Sequence, residues 1–156
     1  MEIRKAEGRD IPGIIELLKQ VGQVHHEIRT DLFRAGAQKY DVAALEAILE
    51  DASRPIFVAV QGGFVLGYCF CIHKDYLGDP VLTDRRELYI DDLCVEETCR
   101  GQGVAKALYA HTQAYAKEAG CSYLTLNVWC GNVGAMKFYE NAGLTPRSIT
   151  METKLC

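Results

Sequence analysis

Apolar residues recur at helical spacing in the first third of the chain. Between Ile11 and Val21 they stand three and four residues apart, and Pro12 suits the first turn of a helix. A second helix is predicted to follow Asp41, which is a good N-cap, and to end near Glu50. Residues 22–37 mix polar, aromatic and charged side chains without a period, so we predict an irregular segment between the two helices.

Strand-like runs follow. A short one covers residues 2–6, and the runs "RPIFVAV" and "FVLGYCFCIH" are joined by Gln61-Gly62-Gly63, which is a strong hairpin signal. A further long strand, "ELYIDDLCV", extends from Glu87 to Val95. We therefore expect antiparallel pairing in this part of the chain.

The second half of the chain alternates helices and strands. A helix from Gly103 to about Ala119 is ended by Gly120, and the strand "YLTLNVW" comes next. The helix "NVGAMKFYENAGL" and a last strand, "RSITMETKL", complete the order. The strand-helix-strand unit requires a right-handed parallel crossover. The sequence thus predicts one α/β (α+β) domain, residues 1–156, with a mixed sheet.

The side-chain alternation slips by one residue within the long strand. Its apolar positions are Leu88, Ile90, Leu93 and Val95. A β-bulge at Asp91 and Asp92 would return both halves to one face and would leave backbone groups unpaired beside it. The alternative is that Tyr89 and Cys94 form the apolar face and that both aspartates are solvated.

Composition and charge argue against several classes of protein. Apolar residues make up 49% of the 156 and the net charge is -4, which suits a globular protein and disfavours nucleic-acid binding. The N-terminus is charged from its second residue, and no apolar run approaches the roughly 20 residues of a membrane span. Seven cysteines form no C-x-x-C pair, so we expect reduced thiols and no metal. We expect a cytoplasmic protein that binds neither membrane nor nucleic acid.

The stretch "CRGQGVAKAL" carries the first chemical signal. It places Arg100, Gly101 and Gly103 at the start of a helix, where free N–H groups and the helix dipole favour a phosphate. Neither nucleotide fingerprint fits, because the Rossmann pattern needs glycine where Lys106 stands and the P-loop needs Lys-Ser/Thr after Gly103. Taken alone, such a motif more often marks an ordinary tight turn.

The surroundings of this motif narrow its meaning. Arg-x-x-Gly-x-Ala, from Arg100 to Ala105, follows the suspected bulge and precedes "LNVWCGN" and "AMKFYENAGL". This layout resembles the GCN5-related N-acetyltransferase (GNAT) superfamily over nearly the whole chain. The resemblance implies a twisted, mostly antiparallel sheet of 6–7 strands with about four flanking helices, and the activity of an N-acetyltransferase.

The resemblance also implies acetyl-CoA as co-substrate, with no metal. Backbone N–H groups of the glycine loop would hold the pyrophosphate, and the bulged strand would bind the pantetheine arm and the acetyl carbonyl. Residues at the start of the last helix would contact or flank the cofactor. The implied cofactor-binding residues are Leu93, Cys94, Val95, Arg100, Gly101, Gln102, Gly103, Val104, Ala105, Asn132, Ala135 and Phe138.

Three residues are implied as catalytic. Tyr139 matches the family tyrosine that protonates the departing thiolate, and a phenol of pKa about 10 stays protonated at neutral pH. A role purely in the core is its alternative. Asp91, with Asp92 behind it, stands where polyamine acetyltransferases of the superfamily carry Glu-Asp, and either could take the amine proton directly or through a water. Alternative bases are His25, His26 and His73.

The sequence gives the weakest indication of which molecule accepts the acetyl group. Acidic and aromatic residues in two irregular segments could accept a cationic amine, although solvated loops and a buried tryptophan are equally compatible. These candidates are Asp31, Phe33, Tyr76, Asp79 and Trp129. We expect direct transfer to a small cationic primary amine in a ternary complex. The alternatives are a protein N-terminal or lysine acetyltransferase and a non-catalytic acyl-CoA-binding sensor, and a homodimer is left open.

Overall fold

Five strands form one sheet in the order β1-β2-β3-β4-β5, as described by a computed structural model that covers residues 1–156. The first four strands pair antiparallel, and β5 pairs parallel with β4. The strands are β1 Glu2–Lys5, β2 Ile56–Gln61, β3 Phe64–Asp75, β4 Arg86–Val95 and β5 Tyr123–Leu126. The predicted mixed, mostly antiparallel sheet is confirmed, with five strands rather than six or seven.

Four helices flank this sheet. They are α1 Ile11–Ile28, α2 Val42–Leu49, α3 Val104–Glu118 and α4 Val133–Asn141, with single 3-10 turns at Gly8–Asp10 and Glu97–Cys99. As predicted, Asp41 caps α2, because its side chain accepts a hydrogen bond from the Ala44 N–H at 2.8 Å. No helix has the length and apolar character needed to cross a bilayer.

The core lies on both faces of the sheet. Helices α1 and α2 cover one face with residues such as Leu18 and Leu45, and α3 covers the other with residues such as Leu108. Strand β2 supplies both sides, because Val58 belongs to the first cluster and Phe57 to the second. This two-sided burial explains why the central strands read as nearly continuous apolar runs.

The prediction of an irregular segment from residue 22 is wrong for its first part. Helix α1 continues to Ile28, since Val24 and Ile28 extend the apolar spacing and are both half-buried. Position 22 of this helix requires glycine, because a Cβ there would lie 2.2 Å from the Ala37 carbonyl oxygen. The loop after α1 therefore packs directly on the helix.

Two strand predictions also need correction. Strand β5 ends at Leu126 rather than Trp129, because it pairs with β4 only as far as Ile90. The predicted last strand, "RSITMETKL", is not in the sheet, and residues 145–156 make no backbone hydrogen bond. Both differences concern the same side of the molecule, the outer edge of the sheet beside β5.

Candidate active site

A β-bulge interrupts β4 at Asp91. Asp92 pairs with Phe70 and Ile90 pairs with Cys71, so Asp91 has no residue opposite it on β3. The prediction from the alternation is confirmed. Positions Leu88, Ile90, Leu93 and Val95 all face the α3 side of the sheet, and Cys94 faces the other cluster.

Beyond the bulge, one edge of β4 has no neighbouring strand. The β4–β5 register ends at the pair Ile90 and Leu126, and the chain after Leu126 leaves the sheet. Residues 91–95 therefore present a free backbone edge on the β5 side. Such an edge can pair with an extended amide-containing molecule in the way a strand would.

The glycine loop lies at the carboxyl end of β4. Gly101 and Gly103 have φ angles of 77° and 83°, which favour glycine, and Gly103 is the N-cap of α3. The preceding turn is held by the Glu96 carboxylate, which accepts hydrogen bonds from the Glu97 N–H and from the Gln20 amide. The loop is thus tied to α1 and presented at the open side of the sheet.

Backbone donors converge in this loop. The N–H groups of residues 101–106 have no hydrogen-bond partner in the protein, and the α3 N-cap supplies no side chain to them. Arg100 is exposed, and its Nε donates to the Val95 carbonyl at 3.3 Å, which holds the guanidinium beside the loop. Free N–H groups, the helix dipole and an arginine together form a site suited to phosphate.

Asp91 is held by two donors. Its Oδ2 atom accepts from the Lys39 ammonium and from the Tyr40 hydroxyl, each at 2.9 Å. Arg54 donates in turn to the Tyr40 oxygen at 2.8 Å. Burial and the bond to Asp91 raise the pKa of Tyr40 to about 12, so it remains a donor. The Asp91 side chain is 14% exposed, which leaves it accessible from one side.

Asp92 lies in a different environment. Its Oδ2 atom accepts from the Tyr68 hydroxyl at 2.6 Å, and Tyr68 itself is fully buried. Burial raises the pKa of Asp92 above its usual range, against the opposing effects of Tyr68 and of the positive charge of Lys39. Adjacent carboxylates thus have different surroundings, one ion-paired and one desolvated.

Tyr139 projects from α4 into the cluster on the α3 side. It is half-buried among aromatic neighbours, with its ring centroid 5.1 Å from that of Phe138 and 6.3 Å from that of Tyr109. Burial, with the nearby Cys69 and Asp92, raises its pKa well above its usual range. Its hydroxyl has no protein partner and is not a buried orphan atom, so it is free to donate to a bound molecule.

Asn132 begins α4. Its Oδ1 atom accepts from the Ala135 N–H at 3.2 Å, as an N-cap does, which leaves the amide NH2 group for other contacts. Ala135 and Phe138 are half-buried on the same helix. The structure therefore gives Asn132 a capping function in addition to the contact implied by resemblance.

The predicted acceptor residues are only partly brought together. The rings of Phe33 and Trp129 meet edge to face at 5.1 Å, and His25 lies 5.1 Å from Phe33. Asp31 is exposed and paired with Arg29, which lowers the pKa of Asp31 to about 2.

Tyr76 and Asp79 lie elsewhere, in the loop between β3 and β4. Tyr76 packs under the guanidinium of Arg85 at 4.8 Å, and Asp79 closes a turn by accepting from the N–H groups of Val81 and Leu82. This loop joins the ends of β3 and β4 farthest from the glycine loop. The structure does not group either residue with Phe33 and Trp129.

Two of the candidate histidines have other hydrogen-bond partners, and Cys94 is unsuited to act as a nucleophile. His26 Nδ1 lies 2.7 Å from the Phe33 carbonyl, and His73 bonds Tyr115 at 2.8 Å on the far part of β3. Cys94 is buried, and burial raises the pKa of its thiol to about 12, which disfavours it as a nucleophile. No three His, Cys, Asp or Glu residues are grouped to hold a metal ion.

Sequence reasoning missed Lys39, Tyr40 and Tyr68, which surround the two aspartates. Lys39 and Tyr40 lie in the short connection between the segment without a period, residues 22–37, and helix α2. Tyr68 looks like any core residue of β3. A strand register for β3 and β4 would have placed Tyr68 near Asp92, but the bulge makes that register hard to count.

Comparisons with known proteins agree with this geometry. The sequence model of the acetyltransferase (GNAT) family matches residues 23–144. The thialysine N-epsilon-acetyltransferase of Bos taurus is 26% identical over 151 residues, covering 90% of this chain and 82% of its own length.

Solved structures share the fold. A mutant of the BH1408 protein from Bacillus halodurans superposes with a TM-score of 0.95 at 27% identity and covers all of both chains. The aminoglycoside N-acetyltransferase AAC(6')-Iy, solved in complex with CoA, has a TM-score of 0.71 at 20% identity and covers 99% of this chain and 100% of its own. At that identity, the second likeness concerns the fold alone.

Proposed function

Since this chain belongs to the acetyltransferase (GNAT) family and is an N-acetyltransferase, we propose that it acetylates the primary amine of a small cationic molecule, with acetyl-CoA as donor. The transfer would be direct, within a ternary complex. The family match, residues 23–144, covers both aspartates, the glycine loop and Tyr139. The amine class is supported by the acidic pair at the bulge and by the name of the thialysine-acetylating relative.

The residues present fit acetyl-CoA. The free N–H groups of residues 101–106 and the Arg100 guanidinium suit a pyrophosphate. The free edge of β4 from Asp91 to Val95 suits the amide groups of an extended pantetheine arm. Asn132 and Phe138 would border the same arm from α4. Acetyl-CoA supplies an acetyl group activated as a thioester.

The acceptor ammonium would bind at Asp91. Lys39 already places an ammonium 2.9 Å from Oδ2 of Asp91, so the position accepts a charged amine. Phe33 and Trp129 would provide aromatic faces, and Asp31 would add negative charge at the surface. We leave Tyr76 out of this acceptor group, because its ring packs against the Arg85 guanidinium in the β3–β4 loop.

The amine must lose a proton before it can attack the acetyl carbonyl. We assign this step to Asp92, reversing the order of the two aspartates given by the sequence, because burial raises its pKa toward the range where a carboxylate is an effective base. Asp91 would hold the ammonium. The proton would pass from the amine to the Asp92 carboxylate directly or through one water.

The departing thiolate needs a proton, and Tyr139 would supply it. Its raised pKa keeps the phenol protonated throughout the neutral range, and its hydroxyl has no competing partner. The backbone at the bulge would polarise the acetyl carbonyl by donating to its oxygen. The three steps would then use groups of β4 and α4, with Asp92 bonded to Tyr68 of the first core cluster and Tyr139 packed against the second.

One observation carries the proposal: the bulged β4 edge leads directly into a loop of unpartnered N–H groups. The test is CoA release from acetyl-CoA over a panel of alkylamines, polyamines, aminoglycosides and lysine peptides, with acetyl-CoA binding followed by calorimetry. We expect binding and amine-dependent release, fastest with a small cationic amine. Binding without acceleration by any amine would instead identify a non-catalytic acyl-CoA sensor.

A further inference from the structure

A lysine of the protein itself occupies the position proposed for the acceptor amine. The Nζ atom of Lys39 lies 2.9 Å from Oδ2 of Asp91, at the bulge of β4. The other paired lysine, Lys19, contacts Glu16 within α1, and both of those side chains are exposed. Because a lysine side chain is a primary alkylamine, Lys39 has the chemical group that an N-acetyltransferase modifies.

The loop that carries Lys39 is anchored next to it. The Tyr40 hydroxyl donates to Asp91 at 2.9 Å, and the Tyr40 ring stacks on that of Phe70 with the centroids 5.4 Å apart. The Gln38 amide donates to the Tyr40 carbonyl at 2.8 Å. The Lys39 ammonium also lies 5.6 Å from the centroid of the Tyr40 ring, within the range of a cation–π contact. The packing of the loop therefore directs this ammonium to the bulge.

The proposed base lies close to the same ammonium. Burial raises the pKa of Asp92, while the bond from Tyr68 and the positive charge of Lys39 oppose that rise. The charge of Lys39 thus acts on both aspartates. Residues 91–95 form the free edge of β4, along which the pantetheine arm and its thioester would lie. Nucleophile, base and donor would therefore meet at the first two residues of this edge.

The side chain of Lys39 is free to leave Asp91. It is 45% exposed, and lysine carries its ammonium on a flexible four-carbon stem. A partly exposed ion pair contributes little to stability, so the ammonium can move while Tyr40 keeps the loop in place. The nitrogen can thus approach an acetyl carbon at the β4 edge without a change of the backbone.

We propose that the protein acetylates its own Lys39, within one chain, when acetyl-CoA is bound and no acceptor amine is present. This inference rests on the proposed function, because it uses the same donor and the same catalytic groups. It adds a modification site, the Nζ atom of Lys39, and a second kind of acceptor for the reaction.

The reaction balances without any further reactant. The Lys39 ammonium passes one proton to the Asp92 carboxylate, and its nitrogen then forms a bond to the acetyl carbon. The bond between that carbon and the sulfur breaks, and the thiolate takes the proton of Tyr139. The second proton of the nitrogen restores Tyr139 through water, and Asp92 releases the first to the solvent. One ammonium and one thioester thus give one amide, one thiol and one proton.

Acetylation would open the acceptor site. An acetylated lysine carries no positive charge, so it no longer pairs with Asp91. The carboxylate is then available to the ammonium of a substrate. The KM for a cationic amine should therefore be about twofold to fivefold lower in the acetylated protein than in the unmodified protein. An unchanged KM would contradict this release of Asp91.

The first test is incubation of the full chain with acetyl-CoA alone, followed by intact mass measurement and peptide mapping. We expect one acetyl group per chain, at Lys39. Lys39→Arg keeps a cation beside Asp91 and should stay unmodified, because a guanidinium does not lose its proton. Lys19→Arg is the matched control and should be acetylated as the wild type is. No acetyl group at Lys39, or similar rates at Lys39 and at other lysines, would overturn the proposal.

A second measurement separates catalysis from spontaneous acetylation. In Asp92→Asn and in Tyr139→Phe, acetylation of Lys39 should be slower by about 10²-fold or more, because a proton-transfer group is lost. An isotope-labelled Asp92→Asn chain mixed with wild type should react no faster than it does alone, because transfer occurs within one chain. Wild-type rates in both variants, or rapid modification of the labelled chain in the mixture, would overturn the proposal.

Amine turnover measured in parallel distinguishes this inference from the function on which it rests. If an added amine accelerates CoA release and Lys39 stays unmodified, this inference is overturned and the proposed function stands. If Lys39 is modified and no added amine is acetylated, this inference stands and the small-amine substrate is overturned. The absence of both reactions would overturn both.

Discussion

The ammonium nitrogen of Lys39 lies 2.9 Å from Oδ2 of Asp91, the unpaired residue of the β4 bulge. Lys39 comes from the loop before α2, and its side chain is 45% exposed. The protein therefore fills its own candidate ammonium position with one of its own lysines. A cationic substrate would have to displace that contact.

Removing the lysine should accordingly strengthen the binding of a cationic substrate. In Lys39→Met we expect the KM for a cationic amine to fall about twofold to fivefold, the range of a partly exposed ion pair. The KM for acetyl-CoA should not change. Lys19→Met is the control, because Lys19 forms an exposed pair with Glu16 on α1. An unchanged or higher amine KM in Lys39→Met would remove Asp91 as the ammonium site.

The pH profile of kcat/KM should report Asp92. A base must be ionised, so activity should fall as the pH drops through the raised pKa of Asp92. Asp92→Asn should lose this acid-side inflection and about 10²- to 10⁴-fold in rate. Asp75→Asn, at an exposed ion pair with Arg86, should keep the wild-type profile. If the inflection persists in Asp92→Asn, another group is the base.

The Tyr139 hydroxyl can be removed without a structural penalty, since it bonds nothing in the protein. Tyr139→Phe should lower kcat by about 10²-fold or more and leave the Tm and the affinity for acetyl-CoA unchanged. Tyr109→Phe is the matched control in the same aromatic cluster. Equal kcat values in the two variants would show that Tyr139 only packs in the core and does not donate a proton in the reaction.

The glycines of the loop should be needed for binding of acetyl-CoA, the acetyl donor. Gly103→Ala forces a side chain at a φ of 83°, which costs about 1–2 kcal/mol and distorts the row of N–H groups. We expect the KM for acetyl-CoA to rise about tenfold, with the amine KM unchanged. Gly78→Ala has a similar φ of 75° in the β3–β4 loop and should lose stability alone. Similar acetyl-CoA KM values in both variants would contradict the phosphate site.

Local signals in the sequence were enough to predict part of this site. The bulge at Asp91 follows from the alternation of Leu88, Ile90, Leu93 and Val95, because side chains must change face at every residue. The glycine loop follows from Gly101 and Gly103 at the start of an apolar helix. Each of these signals lies within about ten residues.

Contacts between distant segments could not be predicted. Lys39 and Asp91 are 52 residues apart, and Tyr68 and Asp92 are 24 apart, so only the packing of the loop and the strand register bring them together. The packing of the loop on α1 depends on Gly22, where a Cβ would lie 2.2 Å from the Ala37 carbonyl oxygen. The end of β5 depends on the path of β4 beyond the bulge.

The sequence by itself determined the order of elements up to the last helix, the mixed sheet, the bulge and the glycine loop, because each depends on side-chain period or on glycine conformation within one segment. The tertiary structure decided which groups surround the two aspartates, because burial and partners come from other segments. It also decided that "RSITMETKL", which has the pattern of a strand, makes no backbone hydrogen bond with the sheet. A strand needs a neighbour, and side-chain pattern alone cannot supply one.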